Sequence, residues 1–135
     1  MTTNFKAIRN TDLPHVFRRI RLELAREPEH PSGDSGIAYV MLAPLDADGR
    51  IDRDLWQTHR DACRVTRQRP KAEDERGHLV HRRGGAWAFT YDVAGKTADE
   101  AGYHFSDERF VPGEYVSIKE KDGVHAFRVS SVQPL

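Results

Sequence analysis

Residues 110–132 read FVPGEYVSIKEKDGVHAFRVSSV, and this stretch decides the fold class. Apolar and polar residues alternate on both sides of Asp122-Gly123, a pattern typical of a β-hairpin with a two-residue turn. The register that this turn predicts pairs, across the two strands, Ile118 with Phe127, Val116 with Val129 and Glu120 with His125. Because side chains alternate between the two faces of a strand, these residues share one face. The stretch therefore predicts an antiparallel sheet with one apolar face.

A second hairpin is indicated by residues 78–91, HLVHRRGGAWAFTY, in which Gly84-Gly85 separates two short strands. A two-residue turn at this glycine pair predicts three cross-strand pairs, Arg82 with Trp87, Val80 with Phe89 and His78 with Tyr91. Residues 93–102 are polar and are predicted to form a loop between the two hairpins.

Two further strands are expected earlier in the chain. Ile20, Leu22 and Leu24 alternate with charged residues, which predicts a half-buried strand. Residues 37–42 contain no polar residue, which favours a central strand covered on both faces, and Pro44 is expected to end it.

One helix is predicted, from about residue 53 to residue 66. Asp52 is suited to cap its first turn, because its carboxylate can accept from the open backbone amides. The apolar face recurs at helical spacing through Leu55, Trp56, His59, Ala62, Cys63 and Thr66.

These elements predict an α+β, β-rich fold: a curled antiparallel sheet or small partly open barrel of about six strands with the 53–66 helix packed against it. Residues 14–135 are expected to form a single domain, and residues 1–13 a poorly ordered N-terminal segment. The turn glycine, alternation and hairpin of residues 110–132 resemble the strand–turn–strand endings of small barrels, SH3-like modules among them. That resemblance implies architecture and transfers no function.

The composition excludes several classes of protein. The 135 residues carry 21 Lys and Arg against 21 Asp and Glu, so the chain is neither strongly basic nor strongly acidic. Cys63 is the single cysteine, which excludes a disulfide scaffold and favours a reducing, cytoplasmic location. The N-terminal residues lack the pattern of a secretion signal, and no apolar run is long enough to span a membrane. A membrane partner is therefore not expected.

Two metal hypotheses arise from the sequence. Asp46 and Asp48 resemble part of a calcium loop, but the required first and last ligands are missing, so a turn before the helix cap explains them better. The spacing of His59, Cys63, His78 and His81 resembles some zinc sites. Strand alternation at residues 78–83 would place the last two histidines on opposite faces, so we expect His59 and Cys63 to line the buried helix face without a metal or other cofactor.

The charges are unevenly distributed. Residues 60–83 contain eight Lys and Arg against four acids, whereas residues 92–122 contain eight acids against four Lys and Arg. If the face of Trp87 is open, it could stack unpaired bases of a single-stranded nucleic acid. The candidate binding residues are then Arg64, Arg67, Arg69, Arg82, Arg83 and Trp87.

The leading functional hypothesis is a non-enzymatic binding module that holds a partner through its loops, residues 27–36 among them, or through an exposed sheet face. Nucleic-acid or polyanion binding is one alternative. A small enzyme or zinc site around His59, Cys63 and His78, with Asp46 nearby, is the other, although common catalytic motifs are absent. The oligomeric state and the identity of the partner are not encoded in any recognisable motif.

Overall fold

The computed structural model describes residues 9, 13–93, 96–100 and 108–135, and for residues 92, 93 and 96–100 it describes the backbone alone. The prediction for residues 1–13 falls almost entirely outside the described residues. The elements are β1 (Phe17–Leu24), β2 (Asp34–Pro44), α1 (Arg53–Thr58), a 3₁₀ turn (Arg60–Ala62), β3 (Arg64–Gln68), β4 (Glu75–His81), β5 (Trp87–Val93), β6 (Lys96–Glu100), β7 (Tyr115–Glu120) and β8 (Gly123–Pro134).

The strands form one antiparallel sheet in the order β6-β5-β4-β3-β2-β1-β8-β7. The β-rich prediction is confirmed, with eight strands described rather than about six. β2 lies inside the sheet as expected, with a fully buried face at Tyr39, Met41 and Ala43, while its other face is only partly covered. Residues 93–102, predicted as a loop, contain β6.

The sheet curls into a half-barrel. Arg67 of β3 and Glu120 of β7 are separated in the sheet by β2, β1 and β8, which in a flat sheet would hold them roughly 19 Å apart, since neighbouring strands lie about 4.8 Å apart. Instead, Nη2 of Arg67 lies 3.3 Å from Oε2 of Glu120, and the hydroxyl of Tyr39 on β2 donates to the same carboxylate. The concave face is thereby brought together around the core.

Aromatic side chains fill this concave face. The Tyr39 ring lies 5.3 Å from that of Phe89 and 5.1 Å from that of Phe127, which joins β2 to strands on both sides of it. The helix α1 covers one end of the half-barrel, where the indole N–H of Trp56 donates to the backbone carbonyl of Leu79 at 2.9 Å. Burial of these large apolar side chains is the main stabilising term for such a sheet.

The predicted helix over 53–66 is too long. Asp52 caps α1 by accepting from the amide of Leu55 at 3.1 Å, as expected, but α1 ends at Thr58. After the 3₁₀ turn, residues 64–68 form β3, because Val65 fits between Met41 of β2 and Gly77 of β4 on the concave face. Sheet pairing here outweighs the helical periodicity of the sequence.

Both hairpins have the predicted location but a different register. In the first hairpin, the backbone amide of Arg82 donates to the carbonyl of Ala86, which leaves a three-residue loop. His81 rather than Arg82 therefore pairs with Trp87. At the second, the turn is Lys121-Asp122, and the pairing is shifted by two residues: Val116 with Phe127, Ile118 with His125 and Glu120 with Gly123. The shift of two in the second hairpin keeps every side chain on its predicted face. The shift of one in the first hairpin moves the residues of β4 to the opposite face relative to those of β5.

Candidate functional site

The five arginines of the predicted basic surface do not form one patch. Arg67 is 14% exposed on the concave face, where it lies 3.5 Å from Glu75 as well as beside Glu120. Arg69, in the connection after β3, is 2.8 Å from Glu75. Arg64, Arg82 and Arg83 are exposed on other parts of the surface. Arg67 and Arg69 are therefore neutralised by carboxylates of the chain itself.

Trp87 does not offer a stacking surface. It is 5% exposed, and its ring makes edge contacts with Trp56 at 5.1 Å and with His81 at 4.7 Å. Phe89 and Tyr91 on the same face are also buried. Base stacking on Trp87 required this face to be open, and that condition is not met, because the half-barrel and α1 enclose the face. Nucleic-acid binding by the exposed arginines remains a prediction.

The residues of the zinc hypothesis are held apart. His59 caps the end of α1, with Nδ1 3.0 Å from the carbonyl of Leu55, whereas His78 pairs with Arg64 and Thr90 in the sheet. Cys63 is fully buried, and burial raises the pKa of its thiol to about 12. Within the described part of the chain, His59, Cys63 and His78 do not bring three ligand atoms together.

The aspartates of the calcium hypothesis stabilise local structure. Oδ1 of Asp46 accepts from the backbone amides of Asp48 at 2.9 Å and Arg50 at 3.0 Å, which closes the turn before the cap of α1. The interpretation of these residues as a turn followed by a helix cap is confirmed.

A cleft of about 890 Å³ lies on the convex side, between the loop that follows β1 and the β7–β8 hairpin. We name it the outer cleft. It is lined by Glu23, Leu24, Ala25, Arg26, Ser32, Gly33, Asp34, Ser35, Tyr115, Ala126 and Arg128. Tyr115 is 60% exposed, and the 27–36 segment contributes residues 32–35, so the loop and the exposed sheet face of the leading hypothesis meet here.

The charged groups of the outer cleft are unequal in their contacts. Both carboxylates are engaged: Glu23 lies 2.8 Å from Arg21, and Asp34 accepts from the amide of Gly36 at 2.8 Å. The guanidinium groups of Arg26 and Arg128 have no hydrogen-bond or ion-pair partner among the residues that the structure describes. The cleft therefore offers two available cations beside an exposed phenol.

A second polar centre forms around His125. Its Nδ1 lies 2.7 Å from Oε1 of Glu27, and its Nε2 lies 2.8 Å from Oδ1 of Asp122 and 3.7 Å from Oε1 of Glu120. The hydrogen bond to Glu27, supported by Asp122 and the charge of Glu120, raises the pKa of His125 to about 9 against the opposing effect of burial. The same contacts lower the pKa values of the Glu27 and Asp122 carboxyl groups.

The His125 centre adjoins the open end of the concave face. A cleft of about 280 Å³ there is lined by Arg67, Arg69, Glu75, Glu120, Lys121 and Asp122. Glu120 belongs to both groups, because one of its oxygens accepts from Tyr39 and contacts Arg67 while the other faces His125.

Sequence reasoning placed Glu120 and His125 side by side but missed Glu27, and it missed Arg26, Tyr115 and Arg128 of the outer cleft altogether. Tyr115 carried a usable signal, since it is an aromatic residue at a solvent-facing position of the predicted hairpin. Glu27 carried none, because it lies 98 residues from His125 in the chain.

Comparisons of the chain with protein-family models, with curated proteins and with solved structures gave no match. Across the described residues, no helix combines the length and the apolar character that crossing a membrane requires.

Proposed function

We propose that the protein is a non-catalytic binding module that holds an acidic, extended segment of a partner protein in the outer cleft. The observation that supports the proposal is the difference in contacts between the cations and the carboxylates of the outer cleft. Arg26 and Arg128 are available for a ligand, whereas the carboxylates of Glu23 and Asp34 are already engaged. A guanidinium group binds a carboxylate through two parallel hydrogen bonds, so two arginines favour a segment rich in Asp or Glu.

Two further features support an extended polypeptide as the partner. Tyr115 adds a large, rigid contact surface, and Tyr and Arg are enriched among the residues that dominate interface energetics. Tyr115 also begins β7, which among the described strands pairs with β8 alone. The open edge of β7 can therefore add main-chain hydrogen bonds to a partner strand.

The single cysteine, buried at Cys63, is consistent with a reducing compartment, and we place the protein in the cytoplasm.

The test is an amide proton–nitrogen correlation titration of the full chain with a capped peptide of alternating glutamate and serine, and in parallel with its lysine analogue. We expect saturable shifts at residues 23–26, 32–35, 115 and 126–128 with the glutamate peptide alone. Tyr115→Ala and Arg128→Ala should each weaken binding about tenfold, the loss of one charged or aromatic contact of about 1.4 kcal/mol.

Two variants serve as controls. Val124→Ala removes a residue that is 65% exposed on the same hairpin but does not line the cleft, and Arg83→Ala removes an exposed cation elsewhere. Neither should alter the affinity. Equal weakening by Arg83→Ala and Arg128→Ala would show nonspecific attraction and contradict the proposal. A titration with a mixed single-stranded oligonucleotide that shifts residues 64, 82 and 83, with a steep loss of affinity in salt, would favour nucleic-acid binding instead.

A further inference from the structure

The ligand-type atoms around His125 have the arrangement of a small metal site. Nε2 of His125, a carboxylate oxygen of Asp122 and a carboxylate oxygen of Glu120 lie within 4.8 Å of one another. These residues come from β8, from the β7–β8 turn and from the end of β7. The group is an imidazole with two carboxylates, a ligand set that suits first-row transition metals and not Mg²⁺ or Ca²⁺, which prefer oxygen alone.

The distances fit a zinc ion with little movement. Zn–N bonds of about 2.05 Å and Zn–O bonds of about 2.1 Å at a tetrahedral angle place neighbouring ligand atoms about 3.4 Å apart. The observed separations from Nε2 of His125, 2.8 Å to Asp122 and 3.7 Å to Glu120, lie on either side of that value. Asp122 is 73% exposed on a two-residue turn, so its side chain can adjust without disturbing the sheet.

Two contacts from outside the ligand set orient it. Glu27, from the loop after β1, holds Nδ1 of His125 at 2.7 Å and so leaves Nε2 directed at the two carboxylates. Metal-binding histidines usually donate their other ring nitrogen to a carboxylate or a carbonyl in this way. Tyr39 and Arg67 hold Oε2 of Glu120, which leaves Oε1 facing His125.

The charge balance also favours a dication. A metal ion would have to displace the Nε2 proton that His125 shares with Asp122. With the imidazole then neutral, Glu27, Asp122 and Glu120 supply three negative charges, and Arg67 beside Glu120 returns one positive charge. A divalent ion neutralises the remainder. We propose that Glu120, Asp122 and His125 bind a divalent transition-metal ion such as Zn²⁺, and that Glu27 orients the histidine. This site is separate from the outer cleft, so the proposal does not rest on the proposed function.

The proposal is tested by calorimetric titration of the full chain with zinc chloride after treatment with a chelator. We expect one ion per chain. Asp122→Asn and His125→Gln should each lower the affinity at least tenfold, and Glu27→Gln about tenfold, the usual effect of losing a residue that orients a ligand. The matched control is Asp48→Asn, because Asp48 is 74% exposed on another turn and should leave the affinity unchanged.

A second measurement gives the location of the ion. Mn²⁺, added at substoichiometric amounts, should broaden the amide resonances of residues 27 and 120–125 before any others in the spectrum. Absence of zinc uptake would overturn the proposal, as would equal affinities of Asp122→Asn and Asp48→Asn. Loss of uptake on His78→Gln would also overturn it and would favour the ligands of the zinc-like spacing instead. Asp122→Asn alters an exposed turn residue, so the test does not depend on whether His125→Gln folds.

Discussion

Gly77 occupies a position in β4 where no larger residue fits. A Cβ atom placed on Gly77 would lie 2.7 Å from the carbonyl carbon of Thr90 and 2.8 Å from Cα of Tyr91, with the Thr90 carbonyl oxygen nearer still. Real Cβ contacts essentially never fall below 3.0 Å, and all three atoms belong to backbone. The clash therefore cannot be relieved by rotating a side chain, and β4 and β5 must separate locally.

The cost of Gly77→Ala follows from that separation. Moving the strands apart disrupts about two ladder hydrogen bonds, each contributing roughly 1 kcal/mol net. Forcing an extra carbon into a packed site adds about 1–3 kcal/mol. We expect Gly77→Ala to lower the free energy of unfolding by about 3–5 kcal/mol, a large part of the roughly 5–15 kcal/mol available to a domain.

Urea unfolding followed by tryptophan fluorescence measures this loss, since both tryptophans of the chain lie in the core. The matched control is Gly84→Ala, which meets no atom within 4 Å but has a φ of +87°, so that it should cost only about 1–2 kcal/mol. A Gly77→Ala protein as stable as Gly84→Ala would refute the strand pairing of β4 with β5. If Gly77→Ala yields no folded protein while Gly84→Ala does, the prediction holds.

Three further predictions concern single side chains. The buried Cys63 thiol, whose pKa burial raises to about 12, should not react with an aromatic disulfide reagent at pH 8 until urea unfolds the chain; rapid labelling of the native protein would contradict its burial. Desolvation, and secondarily the charge of Arg53, lowers the pKa of His81. Because His81 packs on Trp87, the tryptophan fluorescence of the native protein should titrate with a midpoint below pH 6.5, and His81→Gln should abolish that titration step. Because its folded pKa lies below the unfolded one, the stabilisation from His81 is complete above pH 6.5 and is lost as pH falls through the folded pKa; a midpoint above 6.5 would exclude this. Asp52→Ala should lower the free energy of unfolding by about 1 kcal/mol through loss of the α1 cap, whereas Asp54→Ala should cost less, and equal losses would argue against capping.

The strands could be predicted because alternation is local. Ile20, Leu22 and Leu24 are buried as their spacing indicates, and the side chains of Val116 and Ile118 lie on the predicted face. Each of these conclusions needs only a few consecutive residues and the period of a pleated strand. The Asp52 cap is equally local, since donor and acceptor are three residues apart.

The helix and the hairpin registers could not be settled in that way. Thr66 fits the predicted helical face and a strand equally well in sequence. The choice is made next to it, where Val65 pairs with Met41 and Gly77 on the neighbouring strands. Both hairpins have glycine-containing turns of similar composition. The first closes with a three-residue loop, and the second turns one position earlier than predicted. Loop length of this kind depends on the twist of the flanking strands and not on the turn residues alone.

The polar end of the half-barrel was hidden for a different reason. Alternation places Arg67, Glu120 and His125 on the concave face, but an unpaired buried charge there would be costly, so their partners had to come from distant parts of the chain. The curl of the sheet determines those partners. It places the carboxylate of Glu120 against the hydroxyl of Tyr39, which lies 81 residues earlier in the chain. Apolar contacts are non-directional and permit a range of curvatures, whereas this hydrogen bond and the ion pair with Arg67 select one. Glu120 therefore has two geometric consequences: one oxygen fixes how far the sheet curls, and the curl then sets where the other oxygen stands relative to His125.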